Sequence, residues 1–391
     1  MITPSQVDMT SAWTRVYINK SVNSIPENCI IVGINATDPQ NNPHNLISLE
    51  TEQLFDRIKA TVIIPVLFLI GFPANCINMA VFFKQGLKER INLCLFSLAL
   101  VDLIYVCTVF VFYAERLYTQ FTDDQRFGPV HQYMTHKRII ALFGFGYVDL
   151  LLVALVSTER CICVLFPLRA QRFIKTKTLA FFIALSVLAL VLLRLVVVFM
   201  YHLACFYELR TQRVYWKPYV NDYYFRNQAM IRAVDGVFYG FILTTGCPVV
   251  VLVATIITVV RLNHVVRWRS QTSSSLSSKE IGVTKMLVAL SIVFFVTCIP
   301  VIIIRIVPLF EPRLGPVKVY ANTYNVLISI MEICTYTNVS VNFFVYVLTG
   351  TRFRETLRSL SLFHKFYFCR SDPITTVTNS LQSTQTCQLE K

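Results

Sequence analysis

The sequence is poor in charged residues, which fill 15% of its 391 positions, whereas about a quarter of an ordinary soluble domain is charged. Hydrophobic residues fill 55%. A single soluble core does not need that excess, so the composition argues against a soluble domain and predicts a membrane protein. The formal net charge of +14 indicates contact with an anionic membrane surface rather than with nucleic acid, because basic residues flank the apolar runs.

The patterns of several other protein classes are also missing. The chain has no CxxC pair and no His/Cys cluster with zinc-ligand spacing, so no structural metal is expected. No nucleophile and base pair or phosphate-binding loop is visible, which argues against an enzyme. The first fifty or so residues carry no apolar segment of the signal-peptide kind. The first membrane span is therefore expected to act as its own signal anchor.

Seven stretches are long and apolar enough to cross a bilayer, which takes about 20 helical residues. They are called spans one to seven and lie near residues 58–83, 91–114, 138–163, 178–203, 234–260, 282–306 and 320–347. None alternates as barrel strands do, and only helices or closed barrels satisfy the backbone in lipid. The sequence therefore predicts an all-α membrane protein, a bundle of seven helices.

The loops give little indication of orientation, because both sides of the predicted bundle carry many basic residues. Two sequons before span one, at Asn19 and Asn35, favour an extracellular N-terminus and are candidate glycosylation sites. The predicted organisation is an extracellular and largely disordered segment (1–57), a seven-helix domain (58–348), an amphipathic helix (349–362) and a cytoplasmic tail (363–391). No internal repeat is seen, which argues against an inverted-repeat transporter.

Polar residues and prolines stand at particular places in the spans, where an ionisable group costs about 2.5 to 3.5 kcal/mol on insertion scales. They include Asn75, Asp102, Glu159, Arg160, Pro248, Pro300, Asn342 and Tyr346. This ordered set resembles the rhodopsin-like G protein-coupled receptors over about residues 58–360. Two segments, from Phe294 to Pro300 and after Asn342, are similar to invertebrate peptide receptors and molluscan chemosensory receptors.

The resemblance implies a plasma-membrane receptor for an extracellular ligand, either a peptide or a chemosensory molecule. Such a receptor activates a heterotrimeric G protein through movement of span six. Membrane lipid is a further implied partner, and serines and threonines of the third inner loop and the tail suit an arrestin. The alternative is an ion- or proton-coupled transporter or channel, in which acids of the spans line an ion path. A transporter would move its solute without any G protein.

The inner end of span three carries the first part of the implied activation switch. Glu159 and Arg160 resemble the acidic-Arg-aromatic triplet of the family, with Cys161 in the third position. Twenty residues before Pro300 lies Glu280, where many members place a second acid. The resemblance implies that Glu280 pairs with Arg160 at rest and that movement of span six breaks the pair. A solvated Glu280 that suits the start of the sixth helix is the alternative.

The rest of the implied switch consists of Pro300 in span six and two polar residues in span seven. Asn342 and Tyr346 resemble the Asn and Tyr of the family's Asn-Pro-x-x-Tyr motif, although Phe343 replaces the proline. Losing the ring removes a source of helix kinking. Both polar side chains remain able to form hydrogen bonds inside the bundle, so we retain them in the switch.

Two acids of the spans are expected to share one pocket. Asp102 matches the family's acid in span two, and Asp149 lies eleven residues before Arg160, where the family usually has a small polar residue. With Asn338 and Asn342 they are expected to bind a sodium ion or share a proton. Two carboxylates at such a short distance are not both ionised unless a cation binds, because like charges repel each other. The alternative is a protonated Asp149 that is merely hydrogen-bonded within the bundle.

Candidate ligand contacts lie towards the outer side. Arg305 and Glu332 occupy positions that face the ligand cavity in the family, where each meets an opposite charge on the ligand or the two pair with each other. The other candidates are Leu142, Phe143, Tyr147 and Trp216. Leu142 replaces the Asp of amine receptors and span seven has no Lys for retinal, so amine ligands and light sensing are disfavoured. The aromatic and basic second outer loop suits a peptide or an anionic ligand.

Two positions depart from the family or lack an obvious partner. Thr135 stands where the family has its disulfide cysteine, so Cys205 of the second outer loop is either free or paired with Cys29. Arg194 in span four needs an acidic or backbone partner that the sequence does not identify.

Overall fold

A computed structural model of the chain describes residues 29–32, 43–121, 139–166, 175–199, 201–208, 213–220, 222–271, 278–315 and 318–360. Within these residues, seven long helices form a bundle and a short helix follows the seventh. They are α1 (Leu49–Gln85), α2 (Arg90–Phe121), α3 (139–165), α4 (Thr176–Val198), α5 (228–271), α6 (Ser278–Phe310), α7 (Ala321–Thr349) and α8 (Thr351–Arg358). The predicted all-α bundle is confirmed. Asn19, Asn35 and Thr135 lie outside the described residues.

Six of the seven long helices are apolar enough to cross a membrane, and α3 is the exception. Between Phe145 and Leu165 it carries Asp149, Glu159 and Arg160, but 12 of these 21 residues are buried. The charges of α3 therefore meet neighbouring helices rather than lipid. On the perimeter of the bundle the pattern is inverted, and large apolar side chains are exposed, among them Leu69, Phe181 and Val296.

The first helix begins at Leu49, ahead of the predicted start near residue 58. Ser48 caps it, because the Ser48 Oγ accepts a hydrogen bond from the Thr51 backbone N–H at 3.2 Å. Acidic residues in the first turn also favour the helix N-terminus. The prediction of a largely disordered segment over 1–57 is thus wrong for its last part. Hydropathy misses this extension because residues 49–58 are rich in charge.

Three strands lie outside the bundle: β1 (Cys29–Val32), β2 (Tyr201–Glu208) and β3 (Arg213–Val220). β2 and β3 pair antiparallel, and β1 adds to β2 in parallel. The register sets Cys29 opposite Cys205, so the backbone brings together the two cysteines that the sequence offered as partners. Their disulfide stays a prediction. The sequence prediction missed these strands, which are rich in the aromatic and β-branched residues that favour strands outside lipid.

α1 and α7 approach each other closely at Gly71. A Cβ atom at this position would lie 2.6 Å from the Ser340 Oγ and 3.3 Å from the Ser340 Cα. Asn75, one turn along α1, bridges the two helices, because its Nδ2 donates to the Gly71 carbonyl at 3.0 Å and to the Val339 carbonyl at 2.9 Å. The missing side chain at Gly71 therefore sets the spacing of these helices.

The outer half of α5 is π-helical from Arg232 to Gly246. In this winding each backbone N–H bonds to the carbonyl five residues back, so each turn contains more residues than in an α-helix. The Thr244 Oγ follows the same spacing and donates to the Tyr239 carbonyl at 2.8 Å. Tyr239 is fully buried, and its hydroxyl donates to the Leu190 carbonyl of α4. π-Helical segments often lie at functional sites.

Candidate functional site

The outer end of the bundle holds a buried lysine between two acids. Lys59, 3% exposed, lies in a π-helical turn of α1 (Lys59–Ile63). Its Nζ donates to the Glu332 Oε2 of α7 at 2.9 Å and lies 3.1 Å from the Asp56 Oδ1. The Tyr113 hydroxyl of α2 donates to the same Glu332 oxygen at 2.7 Å. A cation and its acids thus join three helices.

This arrangement corrects one alternative from the sequence, because Glu332 pairs with Lys59 and not with Arg305. Lys59 was not among the site residues predicted from the sequence. A signal was present, because Lys59 falls inside predicted span one, where an ionisable residue needs a partner.

Arg305 of α6 contacts Tyr147 of α3 instead. The Arg305 Nη2 donates to the Tyr147 hydroxyl at 3.0 Å. The Arg305 Nε is buried and has no hydrogen-bond partner among the described residues. Two ligand-site candidates, Arg305 and Tyr147, are therefore in direct contact.

The acidic partner of Arg194, which could not be identified from the sequence, is Asp235. The two side chains form an ion pair between α4 and the π-helical part of α5. The Arg194 guanidinium also lies 5.7 Å from the centre of the Tyr147 ring and 5.5 Å from that of Tyr239. The two tyrosine rings are 4.6 Å apart. One cluster of arginines and tyrosines thus extends across α3 to α6.

The remaining ligand-site candidates have no ring contact or hydrogen bond with this cluster among the described residues. Leu142 and Phe143 are partly buried in the 3₁₀-helical start of α3, Ile139–Gly144. Phe143 meets the Phe112 ring of α2 edge-on at 5.2 Å. Trp216 lies on β3 opposite Cys205, and its side chain is outside the described part of the structure.

The middle of the bundle holds the two acids and the two asparagines that the sequence grouped together. Asp102 and Asp149 are 0% and 1% exposed. The Asp102 Oδ2 accepts a hydrogen bond from the Asn342 Nδ2 at 2.8 Å, and the Asp149 Oδ2 accepts one from the Asn338 Nδ2 at 3.1 Å. The Oδ1 atom of each acid is buried without a donor among the described residues. The two acids interact electrostatically with each other.

The acid pair is also connected to α6. The Thr297 Oγ, one turn before Pro300, donates to the Asn338 Oδ1 at 2.9 Å. Asn338 therefore bridges Asp149 of α3 and Thr297 of α6. A chain of two hydrogen bonds thus connects α6 to the acid pair.

At the inner end of α3, Glu159 lies between two guanidinium groups. Its Oε2 accepts a hydrogen bond from the Arg160 Nε at 2.7 Å, and its Oε1 is 3.6 Å from the Arg90 Nε of α2. The Cys163 thiol donates to the same Oε1 at 3.2 Å. Glu280 lies in the first turn of α6, but its side chain is outside the described part of the structure. Its pairing with Arg160 stays a prediction.

α8 is fastened to the inner ends of the bundle. Phe353 is 2% exposed and packs against the rings of Phe82 and Tyr346 at 5.5 Å and 5.4 Å. Arg352 donates to both oxygens of Glu89, in the loop before α2, at 2.6 Å and 3.0 Å. This hydrogen-bonded guanidinium lowers the pKa of Glu89. The observed helix is shorter than the predicted range of 349–362.

The start of α8 also touches α6. A Cβ atom at Gly350 would lie 2.7 Å from the Met286 Sδ, so a glycine is needed for the approach that is seen. The Met286 side chain of α6 therefore packs directly against the backbone at Gly350, with no room for a side chain between them.

Comparison with known families matches residues 75–346 to the 7 transmembrane receptor (rhodopsin family). Among curated proteins, the chain is 26% identical over 177 residues to proteinase-activated receptor 1 of Bos taurus. The match covers 44% of this chain and 40% of that receptor, so it spans less than half of either protein.

Proposed function

Because the chain belongs to the rhodopsin family of seven-transmembrane receptors, we propose that it binds an extracellular ligand and activates a heterotrimeric G protein by movement of α6. Its site is the plasma membrane, with the N-terminus and the glycosylation sites Asn19 and Asn35 outside the cell. The observation that carries the proposal is the ion pair between the Arg160 guanidinium and Glu159 at the inner end of α3. The family consists of receptors, which argues against the transporter that the sequence left open.

In this proposal α6 transmits the signal as one rigid body. It carries Arg305 at the ligand side, Thr297 beside the acid pair and Met286 against α8. A ligand that contacts Arg305 better in one position of α6 favours that position, because ligands shift conformers only by their differential affinity. The outward position breaks the contact between Met286 and Gly350 and opens the inner end to the G protein.

The ion pair between Glu159 and Arg160, called the latch below, is proposed to restrain the inactive state. It can be tested without knowing the ligand. We expect Glu159→Gln to raise basal nucleotide exchange on the G protein by about tenfold, because a hydrogen bond to a charged group contributes about 1.5–3 kcal/mol. The double variant Glu159→Gln with Arg160→Ala should lose this gain. Exchange is measured with purified receptor in nanodiscs and a panel of G proteins.

The control for the latch is Glu355→Gln, which removes an exposed carboxyl group of α8 on the same side of the bundle. It should leave basal exchange unchanged. Equal basal exchange in Glu159→Gln and the wild type would contradict the latch. Solute flux through receptor-containing vesicles without G protein, together with no exchange in any variant, would contradict the receptor function itself.

We also propose that a sodium ion binds between Asp102 and Asp149, where its single positive charge reduces the repulsion between the two carboxylates. Their two Oδ1 atoms lack donors, and buried carboxylates in contact cannot both stay charged without a cation. The midpoint of thermal unfolding should be about 2 °C or more higher in NaCl than in choline chloride, the shift that about 1 kcal/mol produces in a chain of a few hundred residues.

Asp149→Asn should remove this difference between the two salts, because it leaves one carboxylate at the site. Asp222→Asn, before α5 and exposed, is the control and should keep it. Equal midpoints of the wild type in the two salts would contradict the sodium ion and assign the neutralising charge to a shared proton.

A further inference from the structure

Arg305 is a cation inside the outer part of the bundle that has no acidic partner in contact. Among the described residues, no carboxylate oxygen lies within 4.0 Å of its nitrogen atoms, and its hydrogen bond goes to the Tyr147 hydroxyl. The Arg305 Nε is buried and makes no hydrogen bond there. An unsatisfied buried donor on a charged group costs more than an ordinary lost hydrogen bond. This atom therefore calls for an acceptor, and none of the described residues provides one.

Two other cations of the outer half, Lys59 and Arg194, differ from Arg305 in this respect. Lys59 contacts the carboxylates of Asp56 and Glu332, and Arg194 contacts that of Asp235. Both therefore serve structural ion pairs between helices. Among these three cations, Arg305 is the one whose charge is available to an anion from outside the chain.

Two unused donors lie on the same side of this group. The Nε and Nη2 atoms form one edge of the guanidinium, and Nη2 donates to the Tyr147 oxygen. Tyr147 accepts there, so its own hydroxyl proton is available to a further acceptor. The Nε–H of Arg305 and the O–H of Tyr147 can then bind the two oxygens of one planar anion, which is the geometry that favours bidentate recognition.

Two further tyrosines lie near the pair. The Tyr147 ring packs against Tyr239 of α5, and Tyr324 of α7 lies close enough to Arg305 for an electrostatic interaction. Such surroundings bury an apolar group beside a charged one. Because a single cation is unmatched, one negative charge fits this place better than a doubly charged phosphate.

We infer that Arg305 and Tyr147 bind a carboxylate group of the ligand, next to an apolar or aromatic portion that contacts Tyr239 and Tyr324. This inference rests on the proposed function, which places the ligand in the outer half of the bundle. The carboxylate belongs either to the free C-terminus of a peptide or to a small organic acid. Both present the same two oxygens to the site.

The test is a binding screen on the full-length receptor in nanodiscs, read as a shift in its thermal unfolding midpoint. The probes are tripeptides with free and with amidated C-termini, and aromatic monocarboxylates such as 3-phenylpropionate with their amides. We expect binders among the acids and none among the matching amides. Binding by the peptides or by the small acids distinguishes the two sources of the carboxylate.

Variants then locate the carboxylate. Arg305→Gln should weaken an acid binder by at least about tenfold, the loss expected when a charged hydrogen-bonding partner is removed. Arg305→Lys should recover part of the affinity, because lysine restores the positive charge but not the planar set of donors that binds a carboxylate through two hydrogen bonds. Tyr147→Phe keeps the ring and should weaken binding less than Arg305→Gln. Arg226→Gln, an exposed arginine before α5, is the control and should bind as the wild type does.

The outcome that overturns the inference is an acid binder with equal affinity for the wild type and Arg305→Gln, or a screen in which amides bind as well as acids or no acid binds. G-protein nucleotide exchange is measured separately on the same samples. A carboxylate that binds through Arg305 without changing exchange would support the site and contradict only the proposed signalling function.

Discussion

Gly71→Val is expected to remove nearly all folded receptor from the cell surface. The added Cβ would fall 2.6 Å from the Ser340 Oγ and 3.1 Å from the Ser340 Cβ, and the two methyl groups of valine need still more room. Helix propensity alone predicts the opposite, because glycine costs about 1 kcal/mol in a helix. We expect the steric effect to dominate and to lower the free energy of unfolding by about 3 kcal/mol or more, at the upper end for overpacking.

The matched control is Gly246→Val in α5, where an added Cβ would meet no atom within 4 Å. Surface staining of a tagged receptor and size-exclusion of the solubilised protein measure the folded fraction. Gly246→Val should resemble the wild type. Combining Gly71→Ala with Ser340→Gly, which removes the facing side chain, should fold better than Gly71→Ala alone. Normal surface levels of Gly71→Val would show that α1 and α7 are not in close contact at this point.

Lys59→Met is expected to lower the free energy of unfolding by about 1.5–3 kcal/mol, the contribution of a hydrogen bond to a charged group, because the side chains of Asp56 and Glu332 are 25% and 32% exposed. Methionine keeps the length of the side chain but leaves the carboxylates of Asp56 and Glu332 without their ammonium group. The effect is measured from the unfolding midpoint of receptor in nanodiscs.

Two further variants identify the cause of that loss. Arg57→Met removes an exposed cation two residues away and should change the midpoint little. Adding Glu332→Gln to Lys59→Met removes the carboxylate that lay nearer to the lysine and has lost its partner. The double variant should therefore regain part of the stability. If the double variant is no more stable than Lys59→Met, then lost packing rather than the unpaired carboxylate accounts for the change.

The helices of the bundle were predictable because each follows from a long apolar run, and the order of polar residues within them located the acid pair. Asp102, Asp149, Asn338 and Asn342 meet in the structure as the motif positions implied. Asp149 was found by counting from Arg160 on its own helix, and Asp102 and Asn342 were found by their match to family motifs. Such counting works where the helices are regular.

The partners of charged residues were less predictable. Lys59 and Glu332 are 273 positions apart, and no local pattern links them. Arg305 was predicted to lie towards the outer side, but its contact with Tyr147 depends on how α3 and α6 pack, which the sequence does not reveal. Pairing between distant residues is decided by tertiary geometry, whereas hydropathy reports only the environment of each segment. The strands were missed for a related reason, because β1 is stabilised by a distant strand, β2.

The π-helical winding of the outer half of α5 has a consequence for comparing relatives position by position. One residue of an α-helix corresponds to about 100° of rotation, so an extra residue in a turn redirects everything beyond it. Counting outward from Pro248 in α-helical steps therefore assigns wrong faces to Asp235 and Tyr239. An alignment with a relative whose fifth helix is α-helical throughout would therefore pair residues that face different neighbours. The direction of each side chain from Arg232 to Gly246 follows from the winding of this helix rather than from its position in the sequence.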